Sequence, residues 1–393
     1  MLACCHEGDV MKIFIIPTSY PDESNPVANI FIYEQVKALA LLGHEIIVLH
    51  VKKLPTAKIY SSVDKTIKVN RDDYSVRYAT EIKTFMENKF PNANRNEFIS
   101  AMRRLYIRAE CECGKPDVIY AHFSCWAGYV AAQISKENNI PCVCLEHYSG
   151  YMESNIARGR VEGLKQTIES VNRFLCVSPG LQRAVKNLTY TNKEIGVISN
   201  MVDTCFHYYP SNSNNKIVFF SVGNLNQRKR FGLLIDSFIS AFEADMDVEL
   251  RIGGMGEEYR NLQKKISVNH REHQIKLLGK LNRQQTLENY IDCNCFVLPS
   301  SAETFGLVYR EAMAVGRPII TTNHGGFDAD TWDEKCGYMI PVDDKDALIS
   351  SLKKMKDNVN KFDGKDISEF CLSTCDAIVV GKEIEQNLQK VCR

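Results

Sequence analysis

The chain has 393 residues, and its 48 Lys and Arg residues balance 48 Asp and Glu residues to a formal net charge of zero. That length suits two domains, each able to bury its own core. The balanced charge argues against broad nucleic-acid binding, which needs a basic surface to neutralise phosphates. No apolar stretch reaches the roughly 18 residues that span a bilayer, so we expect a cytoplasmic protein without a transmembrane helix.

The 15 cysteines are scattered, odd in number and without a Cys-x-x-Cys pair. A free cysteine in an apolar run behaves as a small core residue. We therefore expect reduced thiols rather than a disulfide framework, with a zinc site as the less favoured alternative. The cysteines that lie in such runs are Cys142, Cys144, Cys176 and Cys295.

The first ten residues, 1–10, have neither the basic flank nor the apolar centre of a secretory signal, and we expect a disordered extension there. From Met11 onward, short apolar runs alternate with stretches of helical periodicity, which is the pattern of a parallel α/β sheet. A helix is predicted over Phe31–Leu42, ending at Gly43. The strands predicted in the first half are Lys12–Ile16, Ile46–His50, Val118–Ala121, Cys142–Leu145, Phe174–Val177 and Ile195–Ile198.

The second half repeats this pattern after a polar stretch typical of a linker, residues 208–216. The predicted fold class is α/β, with two Rossmann-like doubly wound domains, 11–207 and 217–370, facing a central cleft. The last segment, 371–393, is predicted to be a helix that crosses back to the first domain. The strands predicted in the second half are Ile217–Val222, Val248–Ile252, Ile275–Leu278, Phe296–Leu298, Pro318–Thr321 and Gly337–Ile340.

One segment, Asn88–Arg108, departs from this alternation by interleaving aromatic residues with arginines. An amphipathic helix of this kind can lie on anionic lipid, which would make the protein peripheral at the inner membrane face. The alternative is a crossover helix whose basic face points into solvent. The sequence favours the crossover helix and leaves peripheral membrane contact open.

The segment richest in chemistry runs from Phe296 to Pro318, where a buried strand is followed by a short turn and a helix that begins near Gly306. The first N–H groups of a helix lack partners within the helix, and its dipole is positive at that end. Phe305, Gly306 and Leu307 would therefore offer a site for an anion, most naturally a diphosphate.

Glu303 precedes this helix, and Glu311 lies about five residues inside it, at a rise of about 1.5 Å per residue. The two acids are thus separated by roughly the length of a nucleotide-sugar folded over its diphosphate. Each carboxylate can accept hydrogen bonds from paired hydroxyls, one pair on a sugar and the other on a ribose. Solvated helix faces often carry such a pair, so the two glutamates alone are not diagnostic.

The surrounding residues resemble the retaining glycosyltransferases of GT-B architecture, the GT4-like family of glycosyl transferases group 1. That family combines a glutamate, a Phe-Gly turn, a second glutamate followed by Ala-Met-Ala-x-Gly-x-Pro, and a Gly-Gly loop. The resemblance extends from Met11 to the last helix. The matching residues are Glu303, Phe305-Gly306, Glu311-Ala312-Met313-Ala314, Gly316, Pro318 and Gly325-Gly326.

The resemblance also implies how the donor diphosphate is neutralised. Lys229 matches the family's diphosphate-binding lysine, whereas Asn224 stands where the family has an arginine. Arg228 and Arg230 are the two candidates for the missing charge.

Two further loops match the family's nucleotide-binding loops. Gly254 belongs to a Gly-x-Gly loop that would let the backbone approach the nucleotide. Leu278 and Lys280 occupy the loop that would hold the nucleobase by main-chain contacts, which hides the identity of the base from the sequence.

In the first domain, His122 and His147 match two histidine-bearing strand ends of the family. The family's active-site histidine commonly stands at the second position, so we expect His147 to be catalytic and His122 to be structural. Asn29 and Ile30, on the acceptor side, stand where glycine is usual in the family.

The resemblance implies transfer of a hexose-type sugar, with retention, from a UDP- or GDP-linked donor to a glycan or lipid-linked acceptor in bacterial surface polysaccharide synthesis. The diphosphate would sit at Gly306 beside Lys229, with Glu311 on the ribose and Glu303 on the sugar. No Asp-x-Asp motif stands in the expected place, so we expect no metal and no cofactor. The helix dipole, lysine and arginine would do the work of a metal.

Three alternatives remain. A nucleotide-sugar epimerase or sugar phosphorylase could use the same architecture. A non-catalytic nucleotide-sugar-binding protein is disfavoured by Glu303, Glu311 and Lys229 and kept open by Asn224. A nicotinamide dehydrogenase is disfavoured because no Gly-x-Gly-x-x-Gly turn follows the first strand.

Overall fold

The computed structural model describes residues 10–25, 28–56, 67–85, 91–153, 156–211, 216–327 and 332–393. Of the extension expected at residues 1–10, only Val10 is described. Residues 212–215 of the expected linker also lie outside the described residues. Within these described ranges, no helix is both long and apolar enough to cross a bilayer.

The described chain divides into two compact units, each built on its own sheet. The first unit runs up to Val177 and adds Gln182–Met201 and Ala377–Arg393, while the second comprises Ser178–Leu181 and Val202–Asp376.

The strands, numbered in chain order, are β1 (Lys12–Pro17), β2 (Glu45–Thr56), β3 (Lys68–Arg71), β4 (Val76–Phe85), β5 (Val118–His122), β6 (Cys142–Glu146), β7 (Arg173–Cys176), β8 (Ile195–Val197), β9 (Ile217–Val222), β10 (Val248–Gly253), β11 (Ile275–Gly279), β12 (Cys295–Leu298), β13 (Ile319–Thr322) and β14 (Gly337–Ile340). The helices are α1 (Ile30–Leu41), α2 (Pro91–Cys113), α3 (Tyr129–Asn138), α4 (Arg158–Ser170), α5 (Pro179–Thr189), α6 (Phe231–Ala241), α7 (Tyr259–Val268), α8 (Arg283–Asp292), α9 (Leu307–Ala314), α10 (Lys345–Asn358), α11 (Gly364–Cys375) and α12 (Ala377–Cys392).

The sheet of the first unit has the order β3-β4-β2-β1-β5-β6-β7-β8, and its neighbours are parallel except β3 with β4. Ile13, Phe14, Ile15 and Ile16 of β1 are fully buried, as expected for a strand covered on both faces. The strand order reverses at β1, which pairs with β2 on one side and β5 on the other. The turns after β1 and β5 therefore lie at a topological switch point, where doubly wound sheets bind ligands.

The sheet of the second unit is parallel throughout, in the order β11-β10-β9-β12-β13-β14. Counted from β9, this is the Rossmann order 3-2-1-4-5-6. Its switch point lies between β9 and β12, which are hydrogen-bonded neighbours. Residues 223–230 follow β9 and residues 299–306 follow β12, so the two segments that carry Lys229 and Glu303 emerge side by side.

The strands predicted from the sequence are all present, with ends that differ by a few residues. The largest difference is in β2, which runs on to Thr56 because it pairs with β4 from Ile47 to Thr56. β3 and β4 were not predicted from the sequence. All residues of β3 are exposed, so β3 has no buried apolar face that would indicate a strand. The predicted cysteine burial is confirmed, because Cys142, Cys144, Cys176 and Cys295 are fully buried.

The segment predicted as one helix over 371–393 instead contains the end of α11 and the separate helix α12. The break falls at Asp376, whose backbone is extended. α12 packs against α1, β5 and β6 in the first unit.

The arginine-rich segment forms α2 from Pro91 onward, and residues 88–90 of it lie outside the described residues. Phe98, Met102 and Tyr106 are buried, because α2 packs on β2, β4 and α3. Arg103 forms a two-pronged ion pair with Glu137 of α3. The apolar face that would enter a lipid bilayer is thus occupied, in agreement with the crossover helix.

Candidate active site

Lys229 and Glu303 form an ion pair at the switch point of the second sheet. Both side chains are largely buried, with 12% of each exposed. Ser300 donates its hydroxyl to the same carboxylate oxygen at 2.8 Å. Burial raises the pKa of Glu303, but the positive charge of Lys229, with His324 and the hydrogen bonds, outweighs burial and holds that pKa below its usual value. Glu303 is therefore ionised at neutral pH.

His324 lines the same site and was not predicted from the sequence. Burial lowers its pKa to about 4, so the ring is neutral at pH 7. Its Nδ1 accepts from the N–H of Gly326 at 3.0 Å, which leaves the proton on Nε2, 3.1 Å from the Thr321 hydroxyl. The backbone carbonyl of His324 also accepts from the N–H of Glu303 at 3.2 Å. In the sequence, only the position of His324 directly before Gly325-Gly326 could have indicated that it lines the site.

Two glycines keep side chains out of the space around the ion pair, and a third stands at the turn before α9. A Cβ on Gly223 would lie 3.6 Å from Cε of Lys229. One on Gly326 would lie 3.1 Å from Cβ of Glu303. Gly306 adopts a left-handed backbone with φ 76°, which favours glycine. The result is a site bordered by backbone, as phosphate-binding sites often are.

The helix α9 begins just after Gly306, where the sequence predicted its start, and Glu303 precedes it in the chain. Gly306 is its N-cap residue, Leu307 is its first residue, and Phe305 is buried just before it. The positive end of the α9 dipole therefore lies close to Glu303 and Lys229.

Glu311, inside α9, has a set of partners separate from those of Glu303. Its carboxylate accepts from Arg283 Nη1 at 3.4 Å and from the Tyr290 hydroxyl at 3.2 Å. Arg283 is held in turn by Asp203, with 2.8 Å between Nε and Oδ2. Burial raises the pKa of Glu311 to about 7, against the lowering effects of Arg283 and Tyr290. The structure thus brings Glu303 together with Lys229 and gives Glu311 a buried network of its own.

The two candidate arginines differ in their surroundings. Arg230 forms a bidentate ion pair with Asp343, at 2.6 and 2.9 Å. The backbone carbonyl of Arg228 accepts from the N–H and hydroxyl of Ser301 at 2.9 and 3.2 Å, which ties Arg228 to the turn that carries Glu303. Asn224, at the expected arginine position, is exposed.

The predicted nucleotide loops lie at the ends of β10 and β11. Gly254 has φ 132°, and a Cβ there would lie 1.9 Å from the carbonyl oxygen of Gly223. Close packing of the strand ends is therefore enough to require this glycine. Leu278 is half-buried in β11, and Lys280 is exposed just after it.

His122 and His147 of the first unit are in direct contact, with 3.1 Å between Nδ1 of His122 and Nε2 of His147. Burial lowers the pKa of His122 to about 3, and burial together with His122 lowers the pKa of His147. Both rings are neutral at pH 7, so one proton lies between them. The loop that carries His147 is fixed by Glu146, which accepts from the N–H groups of His147 and Tyr148, both at 2.8 Å.

Asn29 stands directly before α1 with φ 49° and ψ 42°, a left-handed conformation. Asparagine is among the few residues that adopt this conformation readily. Asn29 thus keeps the backbone shape that glycine would give, and Ile30 begins the helix.

Comparison with protein families matches both halves of the chain. Residues 28–206 match the model described as Glycosyltransferase Family 4, and residues 209–363 match Glycosyl transferases group 1. TuaC of Bacillus subtilis (strain 168), a glycosyltransferase provisionally assigned to teichuronic acid biosynthesis, is 24% identical over 336 residues, which are 80% of this chain and 82% of TuaC. A glycogen synthase of Mycobacterium tuberculosis is 23% identical over 375 residues, which are 88% of this chain and 86% of that protein.

Solved structures show the same fold at low sequence identity. Sucrose-phosphate synthase from Thermosynechococcus elongatus aligns with a TM-score of 0.76 and 17% identity, covering 96% of this chain and 98% of that one. Anabaena HepE, solved with UDP, aligns with a TM-score of 0.71 and 15% identity, covering 97% of this chain and all of that one. The expected GT-B fold is confirmed, and the chain is a glycosyltransferase that belongs to the GT4-like family of glycosyl transferases group 1.

Proposed function

We propose that this glycosyltransferase moves a hexose-type sugar from a UDP- or GDP-linked donor to a glycan or lipid-linked acceptor, with retention of configuration and without a metal. The observation that carries the proposal is the Lys229–Glu303 ion pair at the switch point of the second sheet, bordered by glycine backbone. The relatives support the donor and acceptor classes, since HepE was solved with UDP and with UDP-glucose and TuaC is provisionally assigned to teichuronic acid biosynthesis.

In this proposal, the donor diphosphate lies at the start of α9 and next to Lys229, and Arg228 adds the charge missing at Asn224. The acceptor oxygen forms a bond to the anomeric carbon as the bond from that carbon to the phosphate oxygen breaks. The nucleoside diphosphate leaves with the electron pair and takes the acceptor proton. Lys229 and the α9 dipole stabilise the negative charge that develops on the leaving group. Glu303 orients the sugar, and Glu311 holds the ribose.

Retention follows from the family resemblance, and front-face attack is the route that we favour. The anomeric centre of the product distinguishes the outcomes, because its one-bond C–H coupling constant in NMR differs between an axial and an equatorial anomeric proton. An inverted product would reject retention and leave transfer itself standing.

The first experiment is a thermal-shift panel of UDP, GDP, ADP and their sugars on the full chain. We expect one nucleotide series to raise the Tm and its sugar conjugate to support transfer. Incubating the bound donor without acceptor separates the alternatives, since an epimerase would convert the sugar. Failure of every nucleotide to shift the Tm would reject the proposal.

Metal independence has its own test. We expect transfer to survive EDTA and to gain nothing from added Mn²⁺ or Mg²⁺. The triplet Asp328-Ala329-Asp330 follows the Gly-Gly loop, outside the described residues. Loss of activity in EDTA that Asp330→Asn reproduces would show that a metal is used after all.

A further inference from the structure

The first unit has a cavity of about 230 Å³ at the carboxyl end of its sheet, among the turns that follow β1, β5 and β6. Thr18 and Asn29 reach it from the β1 side, and Phe123 reaches it after β5. These turns meet at the switch point of this sheet, so the cavity is where the fold favours a ligand. Phe123 also packs on His147, with 5.1 Å between ring centroids, which puts the cavity next to the predicted catalytic histidine.

The cavity wall combines aromatic rings with cations. Lys53 Nζ lies 4.5 Å from the centroid of the Trp126 ring, and the Arg160 guanidinium lies 4.5 Å from that of Tyr148. All four residues line the cavity. Aromatic rings accept the apolar faces of ligands, while lysine and arginine bind carboxylate or phosphate oxygens.

The backbone of this wall is strained. Phe123 has φ 70° and Trp126 has φ 65°, both in the left-handed region that bulky side chains rarely adopt. Such strain persists only where the surrounding structure holds it, and it concentrates at binding sites.

Among the described residues that line the cavity, Lys53 and Arg160 are basic and Glu146 is acidic. Glu146 is fully buried. Both carboxylate oxygens of Glu146 are used by backbone, since Ser124 donates its N–H to Oε2 at 2.8 Å and the N–H groups of His147 and Tyr148 donate to Oε1. The described carboxylate of the lining is thus committed to holding the loops, whereas the two described cations lie over aromatic rings.

We propose that this cavity binds an acidic acceptor, a sugar that carries a carboxylate or a phosphate. This inference rests on the proposed function. Lys53 and Arg160 bind the anionic group, and Trp126 and Tyr148 contact the ring. Asn29 and Thr18 supply polar groups for its hydroxyls. A uronic acid and a sugar phosphate share this chemistry, and the test separates them.

The test measures binding to the full chain by calorimetry, with methyl glucuronide, glucose 6-phosphate and neutral methyl glucoside as probes. The nucleoside diphosphate that gives the largest thermal shift is kept saturating, so that the donor site is occupied. We expect at least one acidic probe to bind at least tenfold more tightly than methyl glucoside, with an affinity that falls as salt rises. The acidic probe that binds identifies the group as carboxylate or phosphate.

Variants locate the binding. Lys53→Gln and Arg160→Gln should each weaken the acidic probe at least fivefold. Arg158→Gln, on the same helix α4 as Arg160 but outside the cavity lining, is the matched control and should leave probe affinity unchanged. The proposal would be overturned if methyl glucoside bound as tightly as the acidic probes, or if neither acidic probe bound. It would also be overturned if the Lys53 and Arg160 variants kept full affinity for the acidic probe.

Donor binding is measured separately on the same variants by the nucleotide thermal shift. Absence of acidic-probe selectivity in the wild-type chain, with a normal nucleotide shift, would reject the acidic acceptor alone. If no nucleotide shifts the Tm, the probes are titrated without nucleotide. Binding of an acidic probe in that case would reject the proposed function and leave the cavity's ligand class standing.

Discussion

Lys229 and Ser300 both donate to the same oxygen of Glu303, Oε1. Within the part of the chain that the structure describes, no group donates a hydrogen bond to Oε2 of this carboxylate. In the proposed mechanism, Oε2 accepts from a sugar hydroxyl, while Oε1 holds Lys229 in place.

From this geometry, we expect Glu303→Ala to lower kcat by about 10²- to 10³-fold, the usual effect of losing one oriented polar group at a reacting centre. Nucleotide affinity should fall only modestly, because Lys229 remains. The control is Glu369→Ala, an exposed glutamate of α11. Unchanged turnover of Glu303→Ala in a steady-state assay would remove Glu303 from the mechanism.

The two arginines beside Lys229 should behave differently. Arg228→Gln is expected to weaken nucleoside diphosphate binding by about tenfold, because a charge-assisted contact contributes about 1.5 kcal/mol or more. Arg230→Gln should leave that affinity within about twofold and cost at most about 1 kcal/mol of stability, since Arg230 is paired with Asp343 near the surface. Calorimetric titration of both variants decides the assignment, and the reverse order of effects would assign the role to Arg230.

Gly223 offers a test of the space around the ion pair. The nearest atom to a Cβ at this position is Cε of Lys229 at 3.6 Å, an ordinary contact, so Gly223→Ala should fold with little change in Tm. We expect nucleotide affinity to fall about tenfold, because the methyl group fills space that the diphosphate needs. Gly232→Ala, in α6, is the matched control, and it should raise stability by about 0.5 to 1 kcal/mol with no effect on affinity. Wild-type affinity in Gly223→Ala would place the diphosphate elsewhere.

The buried carboxyl group of Glu311 should make the stability of the fold depend on pH. Its pKa is raised from 4.5 to about 7 by burial, so the fold favours the neutral carboxyl. The stability that the neutral form contributes is complete below pH 4.5 and is lost as the pH rises through 7. The glutamine in Glu311→Gln does not titrate, so this variant should not lose stability as the pH rises. The free energy of unfolding of the variant minus that of wild type should therefore increase by about 2 kcal/mol between pH 5.5 and 8.5. Denaturant unfolding at several pH values measures this difference, and a constant offset would contradict the raised pKa.

Much of the fold could be predicted because its strands are apolar runs buried on both faces, with helical periods between them. β1 and β9 are such runs, and the structure has both of them. β3 and β4 could not be predicted in the same way, because β3 is wholly exposed and depends on pairing with β4. Pairing with β4 also sets the length of β2.

By itself, the sequence determined the family and the order of the site residues, because Glu303, Gly306, Glu311 and the Gly-Gly loop lie close together along the chain. Only the tertiary structure decided which of them meet. It joined Lys229 to Glu303 across 74 positions because β9 and β12 are neighbours at a switch point. It likewise brought His324 to the site and lined the cavity of the first unit with Lys53 and Arg160. Such contacts depend on strand order and loop packing, which no local pattern of residues encodes.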